Sequence, residues 1–240
     1  MHGGEDRSVF ELTEVLPNKS LAYGELADQV IDFYLPDEIE KPIIVLVHGG
    51  FWRHEYDRKH LSPLADAFVK AGWPVALIEY RRIMGNPDST ISDVSAALAI
   101  ISSEFKRMII IGHSAGGHLA LLVANKFKPL GLIALAPVTD LVAAEALDLD
   151  DGAVSDFLGV PAKMRSDINP IANPALDVPA LLFHGALDVR VPIAQSRDYV
   201  SKMASDATKL IELADIGHFE LIDPRTAIFG QICTQLNGWN

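Results

Sequence analysis

Ser114 sits in the run Gly112-His113-Ser114-Ala115-Gly116, between the apolar stretch Met108 to Ile111 and the helix-like stretch His118 to Lys126. The pattern predicts a strand, a sharp turn and a helix, with the serine held clear of the sheet and the flanking glycines letting the backbone bend tightly. Serine is a poor nucleophile at neutral pH. For acyl transfer it needs a histidine base, a carboxylate to orient that base, and N–H donors for the oxyanion that develops in the transition state. Asp188 supplies a carboxylate just past the strand-like run Pro179 to Phe183, and His218 follows 30 residues later in Gly217-His218-Phe219, after the run Lys209 to Ala214. The order serine, acid, histidine separates this chain from the two protease orders in which the serine comes last.

Oxyanion donors are expected from two places. His48-Gly49-Gly50-Phe51-Trp52 directly follows the apolar run Ile43 to Val47, so its loop leaves a strand end; Gly50 and Phe51 are the candidate donors there, and Ala115, next to the nucleophile, is the third. Phe51 keeps its backbone N–H although its ring must point elsewhere. Trp52, Arg53, His113 and Phe219 flank these motifs and are the candidate substrate-binding side chains. Each assignment has rivals. Asp140 and Asp215 compete with Asp188; His48, His113, His118 and His184 compete with His218 but sit inside or beside strands and turns, where a hydrogen-bonded structural histidine is the commoner outcome. His48 is expected to brace the oxyanion loop. The polar group His54, Glu55, Asp57 and His60 is read as a loop opening a helix rather than as a metal site, and His2-Gly3-Gly4 repeats the glycine motif without a strand before it.

Eight strand-like runs frame these residues: Phe10 to Leu16, Gln29 to Tyr34, Ile43 to Val47, Val75 to Tyr80, Met108 to Ile111, Gly131 to Ala136, Ala180 to Phe183 and Lys209 to Ala214. From the third onward they alternate with helical segments near His60 to Ala71, Ile91 to Ser103, Gly117 to Lys126, Ala194 to Met203 and Arg225 to Leu236. Such alternation predicts a mostly parallel sheet with helices on both faces, the first two strands pairing as an antiparallel edge. Residues 138–174, with Asp148, Asp150, Asp151 and three prolines, break the alternation. They predict a short cap over the C-terminal ends of the strands, where ligands bind in open α/β sheets.

The chain has 240 residues, of which 49% are hydrophobic and 22% charged, enough for one domain over residues 1–240 with a sizeable core. The net charge of −12, without a basic run, argues against a nucleic-acid backbone as partner. Cys233 is the single cysteine, which excludes an internal disulfide and a cysteine-based zinc site. Apolar runs of about five or six residues are far short of the roughly 20 that cross a bilayer, so no membrane association is expected. Met1 to Phe10 lacks an apolar signal core, and the cytoplasm is the expected location. An exposed edge strand at either end of the sheet favours a homodimer.

Through HGGFW, GHSAGGHLA and the HFELID segment around His218, the chain resembles the esterase and kynurenine formamidase branch of the α/β-hydrolases along essentially its whole length. The resemblance implies an α/β-hydrolase fold, a serine hydrolase acting on small esters or aryl formamides, no metal and no organic cofactor. It also implies roles: Ser114 attacks, His218 shuttles the proton, Asp188 orients His218, and Gly50, Phe51 and Ala115 hold the oxyanion. Glu79-Tyr80-Arg81-Arg82 departs from the related Asp-Tyr-Arg motif of lipase-like relatives. Arg53, Arg81 and Arg82 are candidate anchors for a substrate carboxylate. Two other classes stay open: a peptidase of the prolyl oligopeptidase kind, disfavoured because no gating domain fits this length, and a non-catalytic ligand-binding module on the same fold.

Overall fold

A run of buried β-branched and leucine side chains, Ile43–Val47 (β3), has no exposed residue on either face, so it can only be the middle of a sheet covered on both sides. The computed structural model, which describes residues 5–240, places it there. Eight strands form one sheet in the order β1-β2-β4-β3-β5-β6-β7-β8. Here β1 is Lys19–Ala22, β2 Val30–Tyr34, β4 Val75–Ile78, β5 Met108–His113, β6 Leu132–Leu135, β7 Ala180–Gly185 and β8 Thr208–Leu213. β1 and β2 run antiparallel to their neighbours, and every pairing from β4 to β8 is parallel. Helices α1 (Ser62–Lys70), α2 (Pro87–Glu104), α3 (Ala115–Phe127), α6 (Ala194–Met203) and α7 (Ala227–Asn237) connect or follow these strands. Apolar clusters pack on both faces, one centred on Val45, Ile110 and Leu119, the other on Ile44, Phe68 and Ile232.

The expected first strand is displaced. Ser8–Glu11 is a short 3-10 turn, Leu12 to Leu16 is irregular, and the edge strand is the polar Lys-Ser-Leu-Ala at 19–22. Phe10 finds its contact edge-to-face on Phe219, 4.8 Å between ring centroids, rather than in the sheet. An edge strand with little to bury carries no apolar signature, which is why the apolar run before it attracted the assignment. The first helix likewise begins later, at Ser62, after a 3-10 turn at Arg58–Leu61 that the Asp57 side chain caps. The second begins earlier, at Pro87, where the Asn86 side chain accepts from the Ser89 N–H and proline occupies the first turn. His2-Gly3-Gly4 lies outside the described residues.

Residues 138–174 hold two short helices, α4 (Leu141–Ala146) and α5 (Ala153–Leu158), and three 3-10 turns. Asp140, the rival acid, caps α4 by accepting from the Val142 and Ala143 N–H groups. The segment is fastened to α3 by His118, which is fully buried and donates from Nε2 to the Ile168 carbonyl at 2.8 Å. Among the described residues no helix is long and apolar enough to cross a membrane.

The turn from β5 to α3 depends on close approach. A Cβ on Gly116 would collide with the backbone carbonyls of Val47 and His48 at the end of β3. Gly116→Ala therefore must push α3 off the strand, at about 3 kcal/mol or more. Scanning calorimetry should show Tm falling by at least about 6 °C for a chain of this size; an unchanged Tm would mean that helix and strand are not in contact. Burial also holds the His118 imidazole down at about 4, against an ordinary 6.5. Neutral in the fold and titrating near 6.5 when unfolded, it contributes stability that is complete above pH 6.5 and lost as pH falls toward 4. That loss is on the order of 3 kcal/mol. The stability gap between wild type and His118→Gln, measured by urea unfolding, should accordingly shrink between pH 6.5 and 4, and a constant gap would contradict the neutral burial.

Candidate active site

Ser114 lies between β5 and α3 with φ 55° and ψ −119°, a backbone conformation that a side chain disfavours and that clusters at functional sites. It is held there by its N–H donating to the Leu135 carbonyl (2.8 Å) and by its carbonyl accepting from the His118 N–H (3.1 Å). Its Oγ is buried and makes no hydrogen bond to a described residue. That oxygen is left for a group entering the cavity that Ser114 and His218 line together.

His218 precedes a 3-10 turn, Phe219–Ile222, and donates from Nδ1 to Asp188 Oδ2 at 2.7 Å. With the proton fixed on Nδ1, Nε2 carries the lone pair that a base requires. Asp188 is itself fully satisfied. Its Oδ1 accepts from the Arg190 and Val191 N–H groups, both at 2.8 Å. Burial alone would raise its pKa, but hydrogen bonds from His184 and His218 and from the Val191 backbone hold it well below the usual carboxylate range. His184 is locked behind it between Ser196 Oγ (2.7 Å) and the Val191 carbonyl (2.8 Å). Asp188 and His218 are thus brought together from β7 and β8 loops, whereas Asp140 is occupied as a helix cap and Asp215 lies in an exposed turn.

The glycine loop after β3 lies flat against the elbow: a Cβ on Gly49 would meet the His113 carbonyl at 2.8 Å and Ser114 Cβ at 3.0 Å. Gly50, Phe51 and Trp52 follow with φ of 106°, 49° and 56°, and the Arg53 N–H closes the turn on the Gly50 carbonyl at 2.9 Å. Two consecutive aromatic residues in the left-handed region cost of order 1–3 kcal/mol each. Their burial offsets it: Trp52 stacks on Phe157 at 4.5 Å and meets His118 edge-on at 5.2 Å. Gly50 and Phe51 line the cavity, and Ala115 opens α3, where the first N–H groups have no intrahelical acceptor.

Of the expected substrate-binding side chains, His113 and Phe219 line this cavity and Trp52 and Arg53 do not. His113 is pinned by donating from Nε2 to the His218 carbonyl (3.2 Å), and burial together with the neighbouring His218 pushes its pKa well down. Trp52 is core under the cap. Arg53 donates to Asp150 (3.0 Å) and Asp156 (3.1 Å), tying the glycine loop to the cap. Arg81 and Arg82 are engaged as well, Arg81 with Asp93 and Arg82 with Glu79, so neither faces the cavity. In the polar loop, His60 donates from Nδ1 to the Asp57 carbonyl (2.6 Å), and the described residues hold no cluster of three metal-binding side chains.

Sequence reasoning missed Tyr56, His60, Phe10, Arg7, Arg190 and Asp150 as cavity walls, and the role of Glu79. Glu79 is buried at the end of β4, 2.8 Å from His48 Nε2, and also takes hydrogen bonds from Arg82 Nη1 and the Tyr80 and Arg58 N–H groups. Burial would raise its pKa; the His48 and Arg82 charges hold it well below the ordinary range instead. His48 in turn donates from Nδ1 to the Gly49 carbonyl at 2.8 Å, so a buried carboxylate fixes the glycine loop after β3 through one histidine ring. The only sequence signal for it is a Glu-Tyr-Arg-Arg run leaving a buried strand.

Comparison with known proteins bears on the fold and the family. Kynurenine formamidase of Salmo salar is 24% identical over 231 residues, covering 85% of this chain and 75% of that protein. The carboxylic ester hydrolase LipM of Mycobacterium tuberculosis, so named as probable, is 26% identical over 73% of this chain and 48% of its own length. Among solved structures, a truncated carbohydrate esterase from gut microbiota superposes with a TM-score of 0.76 at 20% identity over 99% of both chains. Esterase B from Lactobacillus rhamnosis superposes with 0.75 at 20% identity, over 95% of this chain and 87% of its own. These likenesses give the α/β-hydrolase fold, and the relatives by sequence are an esterase and a formamidase. The BD-FAE family profile matches residues 31–203, and the chain is a member of that family of esterase- and formamidase-like α/β-hydrolases.

Proposed function

We propose that this protein is a serine hydrolase that cleaves small carboxylic esters and aryl formamides through an acyl-enzyme on Ser114, with Asp188 and His218 completing a triad. The observation that carries the reading is the 2.7 Å hydrogen bond that fixes the His218 tautomer, in a cavity it shares with a serine on a strained elbow. As Ser114 Oγ attacks the carbonyl carbon, its proton passes to His218 Nε2, and Asp188 stabilises the imidazolium without taking the proton. The N–H groups of Ala115 and of Gly50 or Phe51 receive the oxyanion. Collapse of the tetrahedral intermediate breaks the bond to the leaving alcohol or amine, which takes the proton from His218. Water, deprotonated by the same imidazole, then releases the acid and restores the serine. For a formamide, the transferred group is formyl and the released acid is formate.

The aromatic walls Phe10, Tyr56 and Phe219 and the modest cavity favour short acyl groups over long ones. Side-by-side hydrolysis of p-nitrophenyl acetate, p-nitrophenyl octanoate and N-formylkynurenine tests the reading. Turnover of the acetate should exceed that of the octanoate. Ser114→Ala should abolish turnover on every substrate, and Asp188→Asn should lower kcat by about 10^4-fold, with an unchanged circular dichroism spectrum. Turnover that survives Ser114→Ala would overturn the mechanism; turnover of N-formylkynurenine above that of the esters would place the protein on the formamidase side.

A further inference from the structure

The charged residues lining the cavity are Arg7, Arg190 and Asp150, with the Glu5 carboxylate set between the two arginines. The two arginines are not equivalent. Arg190 is filled: it grips Glu5 with Nε (2.9 Å) and Nη2 (2.8 Å) and reaches Asp150 with Nη1 at 3.4 Å. The Arg7 guanidinium makes no hydrogen bond to any described residue; its closest carboxylate is Glu5, at 4.0 Å. Its guanidinium instead lies over the rings of Phe10 and Phe219, 5.3 Å and 5.2 Å from their centroids. Phe219 is the residue after His218, with its ring edge-on to the imidazole at 5.1 Å.

From this placement, and resting on the serine-hydrolase reading above, we infer that Arg7 is a specificity determinant that binds a carboxylate carried by the leaving group of the substrate. His218 gives its proton to the leaving group, so that group departs on the His218 side of the cavity, past Phe219 and under Arg7. A planar guanidinium with free N–H groups matches a carboxylate in bidentate fashion. Glu5 is the competing carboxylate, set between Arg7 and Arg190 with its side chain 11% exposed. The arginines 53, 81 and 82 cannot serve, because each is paired inside the fold.

Two esters with the same acetyl group separate the outcomes: 4-acetoxybenzoate, whose leaving phenol carries a carboxylate, and its methyl ester, whose leaving phenol is neutral. The ratio of kcat/KM for the acid over its methyl ester is the readout. It should exceed one in wild type, fall about tenfold in Arg7→Gln, recover in part in Arg7→Lys, and decline with added salt. In Glu5→Gln, which removes the competing carboxylate, it should rise. A ratio below one in wild type, or one that Arg7→Gln leaves unchanged, would overturn the inference while Ser114-dependent turnover of both esters left the hydrolase reading standing. A preference for p-nitrophenyl hemisuccinate over its methyl ester, with none between the acetoxybenzoates, would put the charge on the acyl side and overturn it as well. Absence of Ser114-dependent turnover on all four esters would overturn both readings.

Discussion

The left-handed backbone of Ser114 is the constraint around which the rest of the molecule is arranged. A serine at φ 55° is disfavoured by of order 1–3 kcal/mol and persists only where its surroundings over-determine it. Here they do so from three directions. The Leu135 carbonyl on β6 fixes its N–H, α3 begins at the next residue, and β3 lies so close beneath that only glycine fits at 116. The strain aims Oγ at the cavity and leaves the Ala115 N–H at a helix start, so a buried hydroxyl and an N–H without an intrahelical acceptor come from one turn.

A second layer holds the opposite wall. The glycine loop after β3 contains three consecutive residues of positive φ, and nothing in its own sequence would keep two aromatic residues in that state. Glu79 does so from behind through His48, and the Trp52 stack on Phe157 does so from the cap. Burying a carboxylate is costly unless it is fully hydrogen-bonded. Glu79 meets that condition with bonds from Arg82, Arg58 and Tyr80 as well as His48. The cap and the N-terminal turn enclose the remaining sides with a chain of alternating charges, Arg53, Asp150, Arg190 and Glu5, that links four separate segments around one opening.

Much of the site was legible in the residues themselves. Gly112 and Gly116 around Ser114, the glycine pair after β3, and histidine and aspartate each just past a strand are local patterns, and each fell on the element expected of it. The first strand was not legible. Its four residues bury almost nothing, while the apolar residues before it belong to a turn that packs on Phe219. Arg53, Arg81 and Arg82 looked like free cations because a sequence shows charge and not pairing; Asp150, Asp93 and Glu79, which neutralise them, are 97, 12 and 3 residues away.

By itself the sequence determined the period of the elements, and with it a parallel sheet. It also set the residue types at the strand ends and the order serine, acid, histidine, since these depend on backbone geometry within a few residues. Tertiary structure alone decided which groups share a cavity. Phe10 and Arg7 reach His218's neighbour Phe219 across more than 200 positions, and Trp52 and Arg53 turn away from the cavity although they follow Gly50 and Phe51, which line it. Such contacts are set by long-range packing and by the pairing of buried charges, neither of which leaves a periodic trace in the chain.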